Sequence, residues 1–155
     1  MVNYSLFGGS NGYKGSNDDG TLNGTPYIYV GGNATIGKSE YVKNNNSLYG
    51  AEAGSIFGIG NGRSGYSSIG SADNSIIILD GDATVNRNIY GGGNYGATGI
   101  SGNNASSYSK IVINGGFISG SCAGRRCSQK YCTGNSDARC IWGGCYDCGK
   151  RRWFH

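Results

Sequence analysis

Ile76-Ile77-Ile78-Leu79-Asp80-Gly81-Asp82-Ala83-Thr84-Val85 has two relatives elsewhere in the same chain. They are Tyr27-Ile28-Tyr29-Val30-Gly31-Gly32-Asn33-Ala34-Thr35-Ile36 and Lys110-Ile111-Val112-Ile113-Asn114-Gly115-Gly116-Phe117-Ile118. Aligned on Val30, Leu79 and Ile113, the three keep an aliphatic pair two residues apart: Ile28/Val30, Ile77/Leu79 and Ile111/Ile113. A period of two in β-branched residues marks a strand with one buried face, and the glycines that follow allow the positive φ of a tight turn. These six side chains are therefore expected to point inward.

A second block alternates with the first. Leu6-Phe7-Gly8, Ile56-Phe57-Gly58 and Ile89-Tyr90-Gly91 each open a Gly/Asn-rich stretch, and Gly58, Gly91 and Gly124 fall 33 residues apart. Recurrence at such a period is the signature of a repeat protein, in which each unit completes the fold of its neighbour. Gly58 and Gly91 are expected at equivalent corners. The architecture expected is an all-β, parallel β-helix-like solenoid; a β-sandwich of antiparallel hairpins is the alternative, since strands and glycine turns alone do not set the winding.

Composition agrees with stacking. Leu, Ile, Val and Phe total 27 of 155 residues, fewer than an ordinary globule carries, while 31 glycines and a net charge of only +4 do not match the charged composition of a disordered chain. A stacked coil needs few inward aliphatics, because its backbone hydrogen bonds run to the coils above and below. Helix is disfavoured, since no window shows the i, i+3, i+4 stripe. No apolar run approaches the ~18 residues of a membrane span, and Met1-Val2-Asn3-Tyr4 opens no basic and apolar leader.

The alternation of an Ile-x-Ile-Asn-Gly-Gly strand with an Ile-Tyr-Gly-Gly-Gly-Asn turn resembles the Gly/Asn-rich β-helical repeats of large bacterial cell-surface proteins, of adhesin or autotransporter-passenger type. The resemblance spans about residues 5 to 121 and rests on repeat style. It implies an extracellular or cell-surface location and a structural or adhesive role. Host or cell-wall glycans, or neighbouring repeats of a longer parent, are the partners it implies. Such a parent would carry a leader and an anchor, so this chain is expected to be a fragment.

Residues 1–121 form the Gly/Asn-rich β-repeat region, and residues 122–155 read as an irregular, basic, Cys-rich tail. All six cysteines, Cys122, Cys127, Cys132, Cys140, Cys145 and Cys148, lie there with Trp142, Trp153 and His155. Seven basic residues against Asp137 and Asp147 give the tail +5, which leaves −1 for the rest. Three readings compete. Cys145-x2-Cys148 followed by Lys150-Arg151-Arg152-Trp153-Phe154 suits a zinc or nucleic-acid module, but it is one close pair where a structural site takes two. An even cysteine count suits a disulfide cap. The favoured reading is a shifted reading frame: one base along, Cys140-Ile141-Trp142-Gly143-Gly144 decodes as Val or Ala, then Tyr, Phe or Ser, then glycine-compatible codons. Cys122 likewise falls 33 residues after Ile89. Arg125 and Arg126 then stand where glycine corners are expected, and the stacking is expected to break there.

Little in the body points to catalysis. The single histidine is His155, the last residue, and Gly91-Gly92-Gly93-Asn94 lacks the Lys-Ser/Thr of a phosphate loop. Asp80 and Asp82, two apart at a strand end with Asp73 upstream and Arg87 downstream, are the one carboxylate pair that a polysaccharide-cleaving β-helix enzyme could use. The position of Asp80 is Gly31 and Asn114 in the other copies, as turn variation would have it. Asn17-Asp18-Asp19-Gly20 has the residues for Ca²⁺ without the spacing. No catalytic, cofactor-binding or metal residue is assigned, and no enzyme activity is expected. An adhesive solenoid should carry Tyr, Ser and Asn on its outward strand positions, whereas a glycan-cleaving enzyme should gather Asp80, Asp82 and a basic partner in a groove.

Overall fold

A computed structural model of the chain describes residues 1–10, 20–38, 54–61, 70–94 and 107–120, together with the paired strands at 122–123 and 126–129. Within them the chain forms eleven strands and no helix. In chain order these are β1 (Leu6–Phe7), β2 (Tyr27–Val30), β3 (Thr35–Ile36), β4 (Ile56–Phe57), β5 (Ser75–Leu79) and β6 (Thr84–Val85). They continue as β7 (Ile89–Tyr90), β8 (Ser109–Ile113), β9 (Phe117–Ile118), β10 (Cys122–Ala123) and β11 (Arg126–Gln129).

Every third strand joins the same sheet. The sheets run β1-β4-β7-β10, β2-β5-β8-β11 and β3-β6-β9, and all pairings between named strands are parallel. Antiparallel hairpins are thus replaced by lateral pairing between successive passes of the chain. The register is the one the aliphatic spacing predicts: Val30 lies opposite Leu79 and Leu79 opposite Ile113, while Leu6, Ile56, Ile89 and Cys122 form one row.

Alternation along the central sheet decides what is buried. Ile28, Val30, Ile77, Leu79, Ile111 and Ile113 are all buried, and Ile77 and Ile111 have no exposure. The first sheet adds Ile56, Ile89 and Cys122, and the third adds Ile36 and Val85, with Leu6 and Ile118 packed against the cluster. Each pass therefore contributes about four aliphatic side chains. At roughly 1.5–3 kcal/mol for each fully buried Ile, Leu or Val, this modest set is the main stabilising term, which is how so aliphatic-poor a chain can build a core. Aromatic rings line the first sheet beside it, Phe7 stacking on Phe57 and Phe57 on Tyr90, each pair 4.9 Å between centroids.

Serine hydroxyls add hydrogen bonds beside the ladders. Ser75 Oγ donates to the Gly91 carbonyl at 2.5 Å, and Ser5 Oγ accepts from the Ser55 N–H at 2.9 Å. Among the described residues no buried side-chain polar atom lacks a partner. Close packing of backbone on backbone explains the glycines that follow β1 and β4: a Cβ on Gly58 would collide with the Gly91 carbonyl oxygen, and one on Gly8 with that of Gly58. The turn after the central strand instead requires positive φ, 63° at Gly81 and 88° at Gly116.

The stacking does not stop at Arg125/Arg126. β10 pairs with β7, and β11 pairs with β8 from Arg126 opposite Lys110 to Gln129 opposite Ile113. The expectation assumed a long glycine-rich connection between these strands, as at 58–74 and 91–108. Only 124–125 separates β10 from β11. Arg126 thereby occupies an extended strand position, which any L-residue adopts without strain, and not a corner. Cys132, Cys140, Cys145, Cys148 and His155, on which the zinc and disulfide readings depend, lie outside the described residues.

Candidate interaction face and the Asp80 turn

The side of the central sheet opposite the core presents two rows across three passes. Tyr27, Ile76 and Lys110 form one, and Tyr29, Ile78 and Val112 the other. Tyr27 and Tyr29 are 59% and 56% exposed, Lys110 is exposed, and Ile76, Ile78 and Val112 are half-buried. Tyrosine holds the outward positions of the first pass as expected. The next two passes carry aliphatics and a lysine there, where an adhesive solenoid is expected to carry Ser and Asn.

Asp80 stands at the lip of this face, directly after β5. Its backbone N–H donates to the Val30 carbonyl at 2.9 Å, which continues the β2–β5 ladder into the turn. One carboxylate oxygen accepts the Gly81 N–H at 2.8 Å, and the other accepts the Tyr29 hydroxyl at 3.0 Å. The phenol of Tyr29 is correspondingly held above its ordinary value of 10.0: ionisation would remove the hydrogen bond to Asp80 and set a second negative charge beside it. Such a carboxylate pins a turn to the neighbouring strand. Asp82 is exposed at the same turn, and Arg87 is half-buried beyond β6 and engaged with other groups.

A third feature is spread over distant stretches of sequence. The connections 8–26, 58–74 and 91–108 all leave the first sheet and return to the central one, so they depart from one corner of the stack. Their stems are paired. The Asn61 N–H donates to the Ser10 carbonyl at 2.9 Å, the Asn94 N–H to the Gly60 carbonyl at 3.0 Å, and Asn94 Nδ2 to Asn61 Oδ1 at 2.9 Å. Leu22 bridges Ala72 on the returning side. Insertions gathered at one corner are how repeat proteins vary their surface without disturbing the core. The signal available in the sequence was the spacing from each first-sheet block to the central one, which is long in all of the first three passes.

Among the described residues no group of three or more His, Cys, Asp and Glu is placed to hold a metal ion. Asn17, Asp18 and Asp19 of the Ca²⁺ candidate lie outside them. Cys122 is buried in the row of Ile89. Among the described residues no helix is long and apolar enough to cross a membrane. No family model matches the chain, and no curated protein or solved structure is found similar to it.

Proposed function

We propose that this chain is a structural or adhesive repeat unit of a cell-surface protein, wound as a parallel β-helix, without catalytic activity. The observation that carries the reading is the arrangement of three parallel sheets, each receiving one strand from every successive pass in fixed register. In that arrangement the inward aliphatic side chains serve the stack, and the row pair around Tyr27 and Tyr29, with the loop-bearing corner beside it, is offered for recognition. Exposed tyrosines combine a flat apolar ring with a polar tip and suit saccharide rings or the surface of a neighbouring repeat. Asp80 supports the reading too, since both of its oxygens already accept hydrogen bonds from the fold.

Two experiments test it. For the winding, cysteines introduced as Ile78→Cys and Val112→Cys sit opposite each other in adjacent parallel strands and should form a disulfide within one chain, located by peptide mapping. An absent cross-link with strand content intact would overturn the winding. For the role, retention on cell-wall polysaccharide should be lost in Tyr27→Ser/Tyr29→Ser and kept in Asp80→Asn/Asp82→Asn. Release of reducing sugar by the wild-type chain, abolished in the Asp variant, would replace the adhesive reading with the polysaccharide-cleaving one.

A further inference from the structure

We infer that copies of this chain stack head to tail, the β11 edge of one copy pairing with the β2 edge of the next; the inference rests on the winding proposed above. Its basis is the direction of backbone groups at the two ends of the stack. On β2 the carbonyls of Pro26 and Val30 accept from Ile76 and Asp80. In a parallel ladder, alternate residues face opposite neighbours, so the N–H and C=O of Tyr27 and Tyr29 face away from β5. β2 ends its sheet among the described residues.

The opposite end matches it. Ser75 donates to the Tyr108 carbonyl and Asn114 to that of Leu79, which sets the even-numbered groups of β8 toward β5 and the odd-numbered ones toward β11. Carried through the β8–β11 register, the same alternation turns Arg126 and Ser128 toward β8 and leaves the backbone of Cys127 and Gln129 facing outward. Advancing a second copy by one pass sets its Tyr27–Val30 against Arg126–Gln129. The Cys127 N–H then meets the Tyr27 carbonyl, the Tyr29 N–H meets the Cys127 carbonyl, and the Gln129 N–H meets the Tyr29 carbonyl. In the first sheet the same step brings β1 of the second copy beside β10.

The third sheet supplies an independent match. Val2 bridges Ile36, its N–H donating to the Thr35 carbonyl at 2.8 Å and its carbonyl accepting from Gly37 at 2.7 Å. One end therefore carries an additional segment on this sheet. At the other end the sheet stops at β9 among the described residues, while its two neighbours go on to β10 and β11. One step along the stack lays Val2 of the following copy beside β9, where a fourth strand would lie. All three sheets close together in one translation.

The test is sedimentation velocity of the full chain under reducing conditions over a wide concentration range. Wild-type chain should form species at multiples of 16.1 kDa that grow with concentration. Tyr29→Pro removes an N–H that faces away from β5 at the end of its sheet among the described residues, and should weaken association by at least about tenfold. Tyr29→Phe, which keeps that N–H and loses only the bond to Asp80, should associate like wild type. If Tyr29→Pro loses its strand signal in circular dichroism, Tyr27→Lys decides in its place, since it keeps every backbone donor and sets a charge on the same edge. A wild-type chain that stays at 16.1 kDa, or an edge variant that associates as wild type does, overturns the proposal. The Ile78→Cys/Val112→Cys cross-link forms within one copy, so a monomer that still cross-links overturns only the stacking of copies.

Discussion

The two faces of the central sheet are built by the same strands and obey different rules. Inward, Ile28, Ile77 and Ile111 repeat one side-chain type at every pass, and Val30, Leu79 and Ile113 do nearly the same. Outward, Tyr27 is followed by Ile76 and Lys110, an aromatic, an aliphatic and a cation in a single row. The inner face is constrained because each residue touches the equivalent residue of the passes before and after it, and a change of volume is felt in both directions. The outer face meets solvent, so its chemistry can vary from pass to pass without cost to the stack.

Ile77→Ala should break the comparison most sharply. The residue is fully buried between Ile28 and Ile111, and its truncation should cost about 2–5 kcal/mol in denaturant-induced unfolding. A loss well under 1 kcal/mol would show that the inner row is not close-packed. Gly58→Ala comes next. Its new methyl group meets the Gly91 carbonyl, which is backbone and cannot swing aside, and the expected destabilisation is about 1–3 kcal/mol in the same experiment.

A smaller effect should appear at the lip of the outer face. Asp80→Asn should return the Tyr29 phenol toward its ordinary value of 10.0, measured by the ultraviolet absorbance of tyrosinate on titration with base. The sign of the linked stability follows: a folded-state value raised above the unfolded one contributes fully below pH 10 and is lost as pH climbs through the raised value. The wild-type chain should therefore lose more stability than Asp80→Asn does above that pH. Lys110→Ala, an exposed change on the outer row, should shift stability by no more than about 0.5 kcal/mol, and a larger loss would mean that the outer face is packed against something in solution.

Much of the candidate face was legible before any coordinates, because side-chain period along a strand is a local property. The i, i+2 spacing places Tyr27 and Tyr29 on the face opposite Ile28 and Val30 whatever the strand pairs with. The Tyr29–Asp80 hydrogen bond was not legible, since it joins residues 51 apart through a ladder whose register must exist first. The same holds for the Asn61–Asn94 amide pair, 33 apart, whose common spacing hints at equivalence and says nothing of contact.

The tail shows where local reading goes astray. Arg126 was placed at a corner by counting residues from Gly91, and counting fails when the connection before it shortens to 124–125. The repeat then closes early, and a residue unsuited to a corner becomes the first residue of a strand.

What the sequence by itself determined is the three central strands, their inward aliphatic rows and the alignment of Val30, Leu79 and Ile113, because alternation and repeat spacing are written residue by residue. Only the tertiary structure decided that these strands pair laterally and in parallel, that three long connections share one corner, and that Cys122 and Arg126 continue the stack. The physical reason is that a strand's backbone donors and acceptors accept a parallel or an antiparallel neighbour with little difference in energy per residue. The choice falls to the connections and to the simultaneous closure of three sheets around one core, which no single stretch of the chain contains.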